Sequence, residues 1–235
     1  SFLSALIYFI NNINDYVADL KNKKLNYKLN LKYKHLYYFV STTFFLIQII
    51  TLIYFEQNIW KVCVCYFFLA VSYNVIFKKI IVIDILFIMI FHLLRIFYGS
   101  LAFKIELSSI LIIFCSFLFL MIAANKRTNE IDKNFINRPY NTSHSNILKF
   151  LQLLFALCSV FTLCLYIFDL ENMYLFKNQY LLIIKVILFS FIVLNFLIYQ
   201  FKNKEDVVLF FYKSRVNIFL FTVFVIVFFI NSNFF

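Results

Sequence analysis

Glycine and proline are all but missing: Gly99 and Pro139 are the only ones in 235 residues, where usual usage is roughly 7% and 5%. Helices interrupted by glycine and proline, the device of many membrane carriers, are therefore lacking, which counts against a transporter. Charge is scarce too. Only 14% of the residues are charged, against roughly 25% in soluble domains. Acidic residues are the rarer kind, 11 Asp plus Glu against 22 Lys plus Arg, for a net charge of +11. None of the five cysteines has metal-ligand spacing, and all lie inside apolar runs. Cys63 and Cys65 would point two ways from one helix, and all five are read as packing residues. A charged start followed by a small-residue cleavage site is also missing. So are a soluble domain, a long linker and a tandem repeat.

What is there is apolar and aromatic: 64% hydrophobic, with 35 Phe and 16 Tyr. The composition predicts an integral membrane protein. Enrichment in Phe, Ile, Lys, Asn and Tyr fits the coding bias of an AT-rich genome. A bilayer core takes about 20 apolar residues. Eight segments qualify or nearly do: Ser1–Ile13, Tyr37–Phe55, Trp60–Phe77, Ile80–Phe103, Leu107–Ala124, Ile147–Phe168, Tyr180–Phe201 and Val216–Ile230. The expected fold is an all-α, multi-span transmembrane bundle forming one domain over residues 1–235. The chain starts with Ser inside an apolar run, so a piece of a longer protein with its first span cut short is expected.

The loops alternate in charge. Lys21, Lys23, Lys24, Lys28, Lys32 and Lys34 share one loop, and Lys78 and Lys79 form the next turn on that side. Lys126, Arg127, Lys133 and Arg138 lie in the Asn125–Asn146 loop; Lys202, Lys204, Lys213 and Arg215 lie in the last. The opposite loops hold only Lys61, Lys104 and Lys177. The positive-inside rule places the first group in the cytoplasm and both ends of the chain outside. Basic charge spread over short loops reads as topology signals and contacts to anionic lipid or phosphate. It does not read as a nucleic-acid surface, which needs the charge on a soluble face.

Three stretches carry chemistry. In the first, Tyr8 to Lys24, an apolar run passes into Asn11, Asn12, Asp15 and Asp19, which share one side of a helix. Lys21, Lys23 and Lys24 follow at once. Carboxylates and amides on one face suit Mg²⁺, which takes few protein ligands and shares its other positions with substrate phosphates. The bland alternative is a solvated helix end. The second stretch runs from Tyr73 to Gly99 and holds Lys78, Asp84, His92 and Arg95 inside or beside an apolar span. Intramembrane charges are costly and mark sites by default. Asp84 and Arg95 share a helix face but stand about 16 Å apart along it. Each therefore needs another partner: a phosphate-bearing ligand or a residue of the first stretch. The bland alternative is a buried structural pair. Asp84 is the metal-side candidate and Lys78 a phosphate donor; His92 is read as packed or hydrogen-bonded. The third stretch, Asn125-Lys126-Arg127-Thr128-Asn129-Glu130, follows a span, and Lys126 and Arg127 there could clamp a phosphate, Arg in bidentate fashion. A positive-inside stop signal is the equal alternative.

In this order the stretches resemble the motifs of the UbiA superfamily of intramembrane prenyltransferases, closest to the branch that includes decaprenyl-phosphate phosphoribosyltransferase. Asn11, Asp15 and Asp19 match the first motif, N-D-x-x-D-x-x-x-D, with Asn12 standing where its first Asp belongs. Tyr73, Lys78, Asp84, Arg95 and Gly99 match the second, and Lys126, Arg127 and Glu130 match G-K-R-x-x-E, with Asn125 for Gly. The last loop, from Asn203 to Leu209, also matches, but the Asp-Lys/Arg-Pro that usually follows is degraded to Tyr212-Lys213-Ser214. The resemblance implies nine spans, the first missing here, and a cavity open to the cytoplasm. It implies a Mg²⁺-dependent transferase acting on a diphosphate donor and a polyprenyl lipid in the bilayer, most simply phosphoribosyl transfer from phosphoribosyl diphosphate to a polyprenyl phosphate. Metal would fall to Asn11, Asn12, Asp15, Asp19 and Asp84, with Asp15, Asp19 and Asp84 catalytic. Substrate phosphate would fall to Lys21, Lys24, Tyr73, Lys78, Arg95, Lys126 and Arg127. Two alternatives stay open: prenyl transfer from a polyprenyl diphosphate to an aromatic or other acceptor, and a degenerate, non-catalytic homologue, which the departures from the motifs favour.

Overall fold

The computed structural model describes Phe9, Asn11, Ile13, Tyr16, Tyr140 and residues 33–55, 59–80, 82–132, 142–168, 179–203 and 215–231. The described residues are helical almost throughout, with no strand among them. Among the described residues, seven α-helices follow in order: α1 (Lys34–Phe55), α2 (Ile59–Val75), α3 (Ile83–Phe103), α4 (Ser109–Asp132), α5 (Ser145–Phe168), α6 (Gln179–Asn203) and α7 (Arg215–Asn231). Each falls on an expected apolar segment. The expected segment Ser1–Ile13 lies mostly outside the described residues.

Among the described residues, three helices are long and apolar enough to cross a membrane: α3, α4 and the Ser145–Leu165 part of α5. At 1.5 Å per residue, the 21 residues of α3 span about 31 Å, the thickness of a hydrocarbon core. Parts of α1, α2 and α6 are shorter apolar helices. The protein is a membrane protein on that ground.

The chain divides into two compact units. One holds residues 1–106 and 134–139, the other 107–133 and 140–235. In the first, α1 packs on α2 and α2 on α3. Phe45, Ile59, Cys63 and Tyr66 form its core, flanked by Phe67, Phe91 and Tyr98. In the second, α4 packs on α5, α5 on α6 and α6 on α7. Met121, Ala156, Val193, Phe196 and Leu197 are buried there together. The five cysteines are free thiols; Cys63 is a buried core residue and Cys65, two residues on, is exposed.

Near-absence of glycine shows at both ends of α3. The helix ends on Lys104 in the left-handed region (φ 54°), a place glycine usually fills. It begins after Val82 at φ 71°, a conformation that strains a β-branched residue. Such strain, of order 1–3 kcal/mol, persists only where the surroundings fix it. Here it sits two residues before Asp84.

One expected boundary moves. A loop was expected from Asn125 onward; α4 instead continues to Asp132. Nothing in Asn125–Asp132 breaks a helix. Thr128 Oγ1 donates to the Asn125 carbonyl at 2.8 Å, and Arg127 pairs with Glu130 one turn on.

Candidate functional site

In the first unit the site is built on the α2–α3 hairpin. Asp84 lies in the first turn of α3, where the helix dipole favours a carboxylate, and it is fully buried. The Tyr73 hydroxyl, from α2, donates to Asp84 Oδ1 at 2.6 Å. Aromatic packing fixes that phenol. Its ring stacks on Phe87 and meets the edge of Phe91, while Phe77 stacks on the same Phe87 at 4.6 Å. Phe77 opens the tight 3₁₀ turn Phe77–Lys79, so the backbone that carries Lys78 is held by the same wall.

Lys78 and Lys79 are neighbours with different fates. Lys79 is exposed. Lys78 is buried, and its ammonium donates to Asn11 Oδ1 at 3.2 Å, across 67 residues of sequence. This contact brings the first motif stretch to the second. Deeper along α3, Arg95 donates from Nε and an Nη atom to the Tyr66 hydroxyl at 3.3 and 3.0 Å. Asp84 and Arg95 thus find separate partners, as their separation requires, and both partners are phenols of α2. Seven residues of α2 rise about 10 Å and eleven of α3 about 16 Å; the length of the arginine side chain covers the difference. Tyr66 was not among the expected residues. Its signal is the seven-residue spacing from Tyr73, two turns along one face.

Of the expected site residues, four are found in two pairs, Asn11 with Lys78 and Tyr73 with Asp84. Arg95 stands apart from them along α3. Asn12, Asp15, Asp19, Lys21 and Lys24 lie outside the described residues. A metal set of three His, Cys, Asp or Glu does not occur among the described residues. Asp84 offers the hard oxygen that Mg²⁺ requires, and the further carboxylates of such a set would be Asp15 and Asp19.

In the second unit, Lys126 and Arg127 do not form a pair. Lys126 is exposed while Arg127 is buried, and its guanidinium is bonded to the Glu130 carboxylate. Asn125 is buried as well, and its Oδ1 accepts from Gln152 Nε2 of α5 at 3.3 Å. Asn125 Nδ2 finds no acceptor among the described residues. Turning both amides over would exchange that orphan donor for an orphan oxygen.

Compared with protein-family models and with curated proteins, the chain matches none.

Proposed function

We propose that this membrane protein is a Mg²⁺-dependent transferase of the UbiA type, moving a group from a diphosphate donor to a polyprenyl lipid. The observation that carries the reading is the meeting of the two motif stretches: Lys78 bonds Asn11, six residues before a carboxylate that is buried and fixed by a phenol. In the favoured reaction, an oxygen of a polyprenyl phosphate attacks C1 of phosphoribosyl diphosphate. The bond from C1 to the diphosphate oxygen breaks, and diphosphate leaves. Lys78 holds a diphosphate oxygen. Asp84, its carboxylate oriented by Tyr73, would hold the metal, and the motif would give Asp15 and Asp19 the same role. Bound Mg²⁺ supplies charge stabilisation of the leaving diphosphate. Prenyl transfer from a polyprenyl diphosphate uses the same diphosphate-holding groups, and the identity of the labelled donor consumed separates the two.

The non-catalytic reading draws support from the third stretch, where Arg127 is committed to Glu130. The deciding assay is transfer of labelled phosphoribosyl or prenyl diphosphate into lipid by membranes carrying the full chain. Asp84→Asn, which keeps an acceptor for Tyr73, is expected to lower transfer about 100-fold or more, the scale of losing one preorganised electrostatic group. Absence of transfer from both donors by the unaltered chain would leave the non-catalytic reading standing.

A further inference from the structure

We infer that Val82 is a sprung joint that controls access to Asp84: the closed first turn of α3 is held against backbone strain at Val82, and relaxing that strain opens the turn. The inference goes beyond the transferase reading and stands without it. Asp84 is 0% exposed, so nothing reaches its carboxylate while the first turn of α3 stays in place. Two residues earlier, Val82 has φ 71° and ψ −51°. That pair lies outside all three regions open to an L-residue. It lies near the γ-turn of positive φ, which is rare and strained.

Packing of the valine side chain does not impose this conformation, since Val82 is 53% exposed. The clamps lie on either side of it in the chain. Phe77, before the joint, stacks on Phe87, after it, with ring centroids 4.6 Å apart. Tyr73, before it, donates to Asp84, after it, at 2.6 Å. Lys78 and Ile85 are buried on the two sides as well. The chain from Tyr73 to Phe87 is therefore closed twice on itself, and the backbone between must turn sharply without a glycine. Two backbone hydrogen bonds register the closed state. The Asp84 N–H donates to the Ile80 carbonyl at 3.1 Å, and the Leu86 N–H donates to the Val82 carbonyl at 3.0 Å. Strain at an exposed residue between firm clamps lowers the cost of opening at that one point. Opening there frees the turn that carries Asp84 and leaves the rest of α3 helical.

Hydrogen exchange of the full chain in detergent reads the opening directly, at the amides of Asp84 and Leu86, with those of residues 89–94 in the same helix as the control. Glycine takes positive φ without steric cost. Val82→Gly is expected to slow exchange at Asp84 and Leu86 about tenfold, the factor to which strain near the lower end of the usual range converts, with the control amides unchanged. The unfolding temperature is expected to hold or rise. At an unstrained helix start the same change loosens the chain and speeds exchange, so the sign decides. Proline fixes φ near −65° and is incompatible with the closed joint. Val82→Pro is expected to speed exchange at Asp84 and Leu86 about tenfold or more while the control amides stay protected. Unchanged or faster exchange in Val82→Gly overturns the inference, as does unchanged exchange in Val82→Pro. If Val82→Pro unprotects the control amides as well, that variant has lost its fold, and the direction of change in Val82→Gly alone decides the matter. None of these outcomes bears on transfer activity, so the transferase reading stands or falls separately.

Discussion

Both units bury charge beside a helix, but they give it different partners. In the second unit, Arg127 is bonded to Glu130 on the same helix, three residues away. Opposite charges meet, and the net charge of the pair is zero. In the first unit, Asp84 is held by a phenol, Lys78 by an amide and Arg95 by a phenol. Those partners come from other segments, and none of them carries charge. A neutralising local partner is what a helix needs to carry a polar segment through a packed interior. A neutral distant partner orients the charged group and ties two segments of the chain together. The Arg127–Glu130 pair joins two turns of one helix, whereas the Lys78 and Asp84 pairs join separate segments, and the proposed function gives ligand work to the latter.

The largest effect that tests this is in the second unit. Arg127→Met removes the cation bonded to the buried Glu130 carboxylate, and breaking such a pair costs about 3–5 kcal/mol. Glu130→Leu alone is expected to cost a similar amount. Replacing both together is expected to return stability to near that of the unaltered chain, because an apolar pair of similar volume replaces a buried ion pair without loss. Thermal unfolding of the purified chain measures all three. Mg²⁺–diphosphate binding by the double variant is expected to be unchanged. If the double variant is stable but binding is lost, Arg127 meets ligand after all and the contrast between the units disappears.

A smaller effect is expected at Tyr73. Tyr73→Phe removes the donor to Asp84 while keeping the ring packed on Phe87 and Phe91. Loss of a hydrogen bond to a charged group costs about 1.5–3 kcal/mol. Adding Asp84→Leu is expected to recover stability, since the buried carboxylate is gone, but to abolish Mg²⁺–diphosphate binding. The same rescue thus spares binding in one unit and destroys it in the other. Retained binding in the Tyr73→Phe, Asp84→Leu variant would reduce the Asp84 pair to a structural one.

Much of the architecture is legible in the sequence because apolar length alone decides it. The helices α1 to α7 fall on expected segments, as a run such as Ile83–Phe103 has no other way to satisfy its backbone in lipid. The end of α4 is not legible. Asn125–Asp132 is polar enough to read as a loop, and its helical state depends on Gln152, Arg127 and Glu130 finding partners in three dimensions. At the site, Asp84 and Lys78 stand out because charges are rare in this chain. Tyr66 does not stand out, since one phenol among 16 tyrosines looks like any other aromatic packing residue. Its role appears only when α2 and α3 are laid side by side. The sequence offered a first-stretch residue as a partner for Asp84 or Arg95; the described structure gives one, Asn11, to Lys78.

The smallest effect concerns Gly99, the chain's one glycine. It lies within α3, four residues beyond Arg95 and so on the same face. A Cβ added there would meet no atom within 4 Å, so packing in the described structure gives no reason for glycine. Alanine is better than glycine in a helix interior by about 0.8–1.0 kcal/mol. Gly99→Ala is therefore expected to raise stability by up to about that amount, seen as a small increase in unfolding temperature. Transfer activity and diphosphate binding discriminate what the space is for. If both are unchanged, Gly99 is merely tolerated in open space. If stability rises while lipid transfer falls and diphosphate binding holds, the acceptor lipid passes close to the α3 backbone beside Arg95. That outcome would extend ligand work in the first unit from Asp84 along α3 to Arg95, sharpening its contrast with the self-neutralised pair of α4.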